Sequence, residues 1–111
     1  MVAHGKMHFM TYEPMQRQVE EWISTHTPGY FGPLMMVARL AEELGELSRA
    51  VSHHTGEKRP KPGEAMGDIG DEIADVMFVL LCLANSMQID LDKSWEGLLR
   101  KLYERDATRW K

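Results

Sequence analysis

Residues 71–85 read DEIADVMFVLLCLAN, in which acidic residues are followed by nine apolar residues in a row. The apolar run has to be buried, so the stretch predicts a central core helix. Glu72 and Asp75 stand directly before that run. Because an ionised carboxylate beside a core is costly unless it is paired or holds a metal, the stretch also predicts an acidic metal site at its head.

The composition fits one domain spanning residues 1–111. The chain is 43% hydrophobic, which is enough apolar material for a core at this length. Thirteen basic against seventeen acidic residues give a net charge of -4, whereas nucleic-acid surfaces are usually basic. The apolar run is also far below the roughly 18 residues that a membrane span needs. We therefore expect no nucleic-acid polymer and no membrane among the partners.

The cysteine and the first residues bear on the compartment. Cys82 is the single cysteine and lies inside the apolar run, so it offers no disulfide framework. Residues 1–14 are rich in Met and His but have no unbroken apolar core of the signal-peptide kind. We expect a cytoplasmic protein whose residues 1–11 are flexible.

Hydrophobic periodicity predicts an all-α, four-helix bundle-like fold with no strand. Pro33 is favoured at the first position of a helix, and Asp90 or Asp92 is suited to cap the last one. A segment rich in Gly, Pro and Lys, residues 55–67, predicts an exposed loop. The predicted helices cover residues 13–26, 33–53, 68–87 and 91–107.

Two acidic pairs share one spacing. Glu43 and Glu46 in the second helix, like Glu72 and Asp75 in the third, are three residues apart and therefore neighbours on one helix surface. If the two helices pack by their apolar stripes, four carboxylates meet at one end of a shared cleft. Four like charges there need a cation, and oxygen-only ligands are preferred by hard ions such as Mg²⁺ or Mn²⁺.

Two other interpretations of the acids are open. In the first, they are solvated residues in helical ion pairs, for example Glu46 with Arg49 or Arg39 with Glu43. In the second, they belong to a di-iron bundle, but that site needs a Glu-x-x-His step, and here an acid stands where the histidine would be. His53 ends the second helix and is expected to border the loop.

These motifs resemble the signature of the MazG-like nucleoside triphosphate pyrophosphohydrolases, within the all-α NTP pyrophosphatase superfamily. The resemblance extends over about residues 33–111 and is greatest to the short, single-domain YpjD type. It is carried by Glu42-Glu43-Leu44-Gly45-Glu46, a spacer over residues 47–71, Glu72-Ile73-Ala74-Asp75, and the flanking residues 83–85, 89–91 and 101–110.

The resemblance implies hydrolysis of a (deoxy)nucleoside triphosphate to the monophosphate and pyrophosphate. Metal ions would neutralise triphosphate charge and lower the pKa of a bound water that attacks the α-phosphorus in line. Glu42, one turn from Glu46, is our candidate for orienting or deprotonating that water, with Asp68 or Asp71 as alternatives. The implied Mg²⁺ ligands are Glu43, Glu46, Glu72 and Asp75.

Further residues are candidates for substrate binding. Lys101, Arg105 and Arg109 recur every four residues on the last helix, and the family has basic residues near the phosphates in this region. An ordinary solvated basic stripe is the alternative, and Asp106 stands where many relatives have Asn. Asn85 matches the family and is a candidate for sugar or phosphate contact.

The third helix also predicts an oligomer. It is apolar nearly all the way round from Val76 to Ala84, which one small bundle cannot cover. The resemblance implies a dimer or larger assembly, so we expect a homodimer or homotetramer. Our first hypothesis is an enzyme that removes non-standard or surplus nucleotides. The alternative is a non-catalytic helical oligomer with a structural or regulatory acidic metal-binding cluster.

Overall fold

The computed structural model describes residues 11–109, with side chains up to residue 106. It has four helices and, within that range, no strand, so the all-α prediction is confirmed. Every predicted helix end lies within two residues of the observed one. The expected flexibility of residues 1–11 concerns residues that, except for Thr11, lie outside this range. The helices are α1 (Glu13–Ser24), α2 (Pro33–Thr55), α3 (Ile69–Ser86) and α4 (Leu91–Arg109).

Local chemistry explains where the helices end. The amides of Thr25 and His26 donate to carbonyls three residues back rather than four, so α1 stops at Ser24 instead of residue 26. Gly56 follows α2 with a φ of 78°, a left-handed conformation that glycine adopts without strain. Asp68 begins α3, because its carboxylate accepts the Asp71 amide at 2.9 Å.

The core lies where α1 and α2 pack against α3. Its buried members come from all three helices, and α3 contributes the most of them, as the apolar run predicted. Cys82 is buried among them as a free thiol, and burial raises the pKa of that thiol. The buried cluster consists of Val19, Met36, Val79, Leu81 and Cys82.

A polar bridge joins α1 to the end of α3. Asn85 accepts a hydrogen bond from Gln16 Nε2 at 3.0 Å. Its own amide donates to the Gln16 carbonyl at 2.8 Å and to the Tyr30 hydroxyl at 3.0 Å. Gln16 continues the network to the start of α4, where Gln16 Oε1 accepts the Leu91 amide at 3.3 Å. Asn85 therefore fixes how α1 sits on α3.

Two aspartates near the start of α4 have different roles. Asp90 caps α4, accepting the Lys93 amide at 3.2 Å. Asp92 instead accepts the amides of Tyr12 and Glu13, at 2.9 and 3.0 Å, at the start of α1. Of the two predicted caps for α4, Asp90 is thus the one observed, while Asp92 ties α4 to α1.

We expect Asp92→Ala to lower the free energy of unfolding by about 1–2 kcal/mol, because two amides at a helix N-terminus lose a charged acceptor. Asp92→Asn keeps one acceptor oxygen and should lose less. Urea denaturation followed by circular dichroism measures both. If Asp92→Ala were as stable as the wild type, the tie between α4 and α1 would not contribute to the fold.

The fourth helix turns away from the other three. The axes of α3 and α4 are bent by 109°, and no residue between 91 and 106 is buried. The radius of gyration is 17.8 Å, against about 13 Å for a compact chain of this length. Within the described part of the chain, no single helix has the length and apolar character to cross a membrane; α3 and α4 meet those criteria only as this bent pair.

Candidate active site

Three of the four predicted metal ligands meet between α2 and α3. One carboxylate oxygen from each of Glu43, Glu72 and Asp75 lies within 4.8 Å of the other two. Glu43 and Glu72 are partly buried by the packing of the two helices, while Asp75 is exposed. We call these residues the three-carboxylate cluster. The repeated three-residue spacing therefore does bring acids of both helices together.

The cluster fits a hard divalent cation. Mg²⁺ binds oxygen at about 2.1 Å, so two ligands on opposite sides of one ion are about 4.2 Å apart. The observed separations need to shrink by well under 1 Å to reach that value. All three donors are oxygens, which suits Mg²⁺ or Mn²⁺ better than metals that prefer nitrogen or sulfur.

Glu46, the fourth predicted ligand, is turned elsewhere. Its carboxylate is hydrogen-bonded to Arg49, one turn further along α2. It stays close enough to the cluster for its charge to raise the pKa of Glu72. Glu46 therefore borders the cluster, and it would have to leave Arg49 in order to bind the same ion.

The acids of α2 and α3 differ in how they are compensated. On α2, Arg39 Nε lies 3.2 Å from Glu43 and Arg49 is paired with Glu46, so both helical ion pairs of the alternative interpretation are present. On α3, neither Glu72 nor Asp75 has an ion-pair partner within residues 11–106. The carboxylates of α3 are thus the ones that the chain itself leaves uncompensated.

The crowding is felt at Glu72. Its pKa is raised above the ordinary value of 4.5, first by partial burial and then by the charges of Asp75, Glu46 and Glu43, with Arg49 opposing them. A raised pKa means that the ionised form is disfavoured in the folded protein. A cation placed among these carboxylates would remove that penalty.

Glu72→Gln should therefore raise the melting temperature of the metal-free protein at neutral pH. With a raised folded pKa, the folded protein binds this proton more tightly than the unfolded chain. Wild-type stability then increases as the pH falls through the folded pKa of Glu72, and the increase is complete below the unfolded value. The variant should lack this contribution.

Thermal melts in EDTA at about pH 7 and about pH 5 test this linkage. The control is Glu21→Gln, which removes an exposed acid of α1. A Glu72→Gln protein that melts below the wild type at neutral pH would contradict like-charge crowding.

A cleft of about 280 Å³ opens beside the cluster. It lies between the second half of α2, the loop that follows and the start of α3. The loop is held in place by its own contacts: Glu64 accepts the Lys61 amide at 3.0 Å and lies 3.6 Å from Arg49. The Lys61 amide, followed by His53 and Arg49, holds the pKa of Glu64 below its ordinary value. The cleft is lined by Glu46, Arg49, Ala50, His53, Glu64, Ala65, Gly67 and Glu72.

The candidates for activating water lie outside the three-carboxylate cluster. Glu42 is exposed on α2, and Asp71 is exposed on the first turn of α3. Asp68 is the residue that caps α3. The role of each in proton transfer stays a prediction.

The predicted substrate residues do not line the cleft. Asn85 lies ten residues beyond Asp75 on the same helix, about 15 Å along its axis, and its side chain bridges to Gln16 and Tyr30. Lys101 and Arg105 are exposed on α4. Arg109 ends α4, and its side chain lies outside the described residues.

The residues of the cleft other than the predicted ligands were missed as a site. His53 was expected only to border the loop, and Arg49 only as an ion-pair partner. A usable signal exists on α2, since Glu46, Ala50 and His53 follow one another at four and three residues and share a face. The contribution of Glu64 depends on how the loop folds, which periodicity does not report.

Comparison with known proteins was consistent across sequence and structure. The family model described as the MazG nucleotide pyrophosphohydrolase domain matches residues 31–110. The curated Bacillus subtilis protein YpjD, described as uncharacterized, is 46% identical over 100 residues, which are 90% of each chain.

Two solved structures share the fold. The Bacillus-conserved MazG protein, described as a nucleotide pyrophosphohydrolase, has a TM-score of 0.71 and 40% identity, covering 88% of this chain and 93% of that one. YpjD of Bacillus subtilis has a TM-score of 0.73 and 45% identity, covering 86% and 97%. With a family match over most of its length and these relatives, the chain belongs to the MazG nucleotide pyrophosphohydrolase family.

Proposed function

We propose that this member of the family hydrolyses (deoxy)nucleoside triphosphates to nucleoside monophosphates and pyrophosphate in a Mg²⁺-dependent reaction. Its role would be the removal of non-standard or surplus nucleotides in the cytoplasm. One observation carries the proposal within the family assignment: Glu43, Glu72 and Asp75 converge, and the two on α3 have no cation partner in residues 11–106.

The three-carboxylate cluster would hold Mg²⁺, with Mn²⁺ as a substitute, and Glu46 would join it on leaving Arg49. When bound, the cation neutralises triphosphate charge and makes a water molecule more acidic. The partly buried positions of Glu43 and Glu72 restrict their motion and keep the donor set in place between two packed helices.

The remaining steps belong to the side chains. Glu42 would accept the proton of the attacking water, or Asp68 or Asp71 would do so from α3. The water oxygen forms a bond to the α-phosphorus as the bond to the bridging oxygen breaks, and pyrophosphate leaves with that oxygen. Asn85, Lys101, Arg105 and Arg109 remain our proposed contacts to sugar and phosphates.

We also propose that the active form is a homodimer or homotetramer. On α2, Leu34 is 82% exposed and Val37 and Leu44 are about half exposed, forming an apolar stripe on a side other than the core. Ile73 and Leu80 of α3 are also exposed. Apolar surface of this kind is usually covered by a partner. Light scattering should give at least twice the 12.7 kDa chain mass; a monomer at micromolar concentration would contradict this.

The alternative is a non-catalytic helical oligomer with an acidic metal-binding cluster, and the two ion pairs on α2 are what favour it. A panel of ribo- and deoxyribonucleoside triphosphates, assayed for pyrophosphate with Mg²⁺ or with EDTA, separates the two functions. We expect release from at least one nucleotide, and only with the metal. No release from any nucleotide, together with a melting curve that Mg²⁺ does not change, would exclude the enzyme.

A further inference from the structure

His53 is a buried histidine whose ring makes no hydrogen bond within the described chain. Its side chain is 2% exposed, and neither Nδ1 nor Nε2 has a hydrogen-bond partner. The Glu64 carboxylate lies 3.9 Å from Nε2, which is beyond hydrogen-bond distance. Because buried polar groups in folded proteins are almost always paired, this imidazole points to a partner from outside the chain.

The ring lines the cleft next to the three-carboxylate cluster. Glu72 belongs to both, so the cleft opens directly beside the proposed metal centre. A nucleotide whose phosphates are held at the cluster would therefore extend one of its ends into the cleft. The inference that follows rests on the proposed function for this reason.

The charges of the cleft favour the neutral end of a nucleotide. Glu46, Glu64 and Glu72 contribute three carboxylates. The single arginine, Arg49, is already paired with Glu46 and lies 3.6 Å from Glu64. A phosphate group would meet more negative than positive charge here, whereas groups with N–H donors would find carboxylate acceptors.

The shape of the cleft agrees with a flat group. Ala50, Ala65 and Gly67 present almost no side chain to it. At Gly67 an added Cβ would approach the Ala50 Cβ to 3.4 Å and Glu72 Oε1 to 3.5 Å, so this glycine keeps the backbone close to both helices. Small residues on one side and hydrogen-bonding groups on the other suit a planar heterocycle.

We propose that this cleft binds the nucleobase of the substrate and that His53 is a specificity-determining residue for it. A neutral imidazole offers one donor and one acceptor, which together match a pair of complementary groups on a base edge. Glu64 accepts a further N–H from the base, and Arg49 stays paired with Glu46 until the metal binds. The choice among bases is then made beside the reaction centre rather than at it.

Nuclear magnetic resonance of the full chain, labelled with ¹⁵N-histidine, tests binding without turnover. The probes are AMP, CMP, GMP and UMP, with ribose 5-phosphate and pyrophosphate for the rest of the nucleotide, and His53→Gln assigns the signal. At least one monophosphate should shift the His53 ring resonances, while ribose 5-phosphate and pyrophosphate leave them in place. The proposal is overturned if no monophosphate shifts them, or if ribose 5-phosphate shifts them as far.

Substitution tests the role in selection. His53→Leu should reduce the ratio of kcat/KM between the preferred and the next base about tenfold, and His53→Gln, which keeps a donor and an acceptor, should reduce it less. The matched control is His26→Gln, at an exposed histidine after α1, which should keep the ratio. An unchanged ratio in folded His53→Leu would overturn the proposal.

Two further readouts keep the outcomes apart. Since the ring makes no hydrogen bond in the chain, His53→Leu should melt no lower than the wild type; a large loss of stability would assign His53 a structural role and contradict the inference. If wild-type protein hydrolyses no nucleotide, the proposed function fails, whereas the titration with monophosphates still decides whether the cleft binds a base.

Discussion

Glu72→Gln and Asp75→Asn should each lower kcat for nucleoside triphosphate hydrolysis by about 10³-fold or more. Both residues belong to the three-carboxylate cluster, and neither has a cation partner within residues 11–106 that would give it a structural role. Each substitution replaces one carboxylate with a neutral amide of nearly the same shape. The helical content should therefore be unchanged while the affinity for Mn²⁺, followed by electron paramagnetic resonance, falls.

The control for both variants is Glu21→Gln, which removes the same charge from an exposed position on α1. It should keep wild-type turnover and Mn²⁺ binding. A near-normal rate in either cluster variant, with circular dichroism showing a folded protein, would mean that the assigned ligands are wrong.

Asn85→Ala should lower the free energy of unfolding by about 3 kcal/mol, which corresponds to a melting temperature roughly 10–20 °C lower. The substitution removes three hydrogen bonds between α3 and the residues that hold α1, and leaves Gln16 and Tyr30 without those partners. Chemical denaturation gives the free energy directly.

Ser86→Ala is the matched control for Asn85. The Ser86 hydroxyl donates only to the Leu83 carbonyl of its own helix, at 2.9 Å, so its loss should cost at most a few tenths of a kcal/mol. If Asn85→Ala kept its stability and instead raised KM, Asn85 would be a substrate contact, as the resemblance implied, rather than a bridge.

The helices were predictable because their causes are local. The apolar run of residues 76–84 has to be buried, and α3 indeed lies at the centre of the packed helices. The attitude of α4 was not predictable, since an amphipathic stripe such as that of Trp95 and Leu98 indicates which face seeks cover but not what covers it. Both residues are exposed in the single chain.

Caps that act across the chain were also out of reach. Asp92 was a reasonable cap for its own helix by position, yet its carboxylate lies against the amides of Tyr12 and Glu13. Contacts separated by about eighty residues depend on tertiary packing, which local preference does not encode.

At the site, spacing predicted the convergence of Glu43, Glu72 and Asp75 because three residues on a helix span nearly one turn. Glu46 satisfies the same spacing but is turned to Arg49. Sequence could not choose between these orientations, because a nearby arginine and a bound cation compete for the same carboxylate.

Hydrolysis in ¹⁸O-labelled water tests the central claim most directly. The measurement is the mass of both products formed from the best nucleoside triphosphate, with Mg²⁺ and with EDTA. Attack at the α-phosphorus beside the three-carboxylate cluster predicts that the label enters the nucleoside monophosphate, that pyrophosphate is unlabelled, and that EDTA stops the reaction. Label in pyrophosphate, orthophosphate as the main product, or full turnover in EDTA would contradict it.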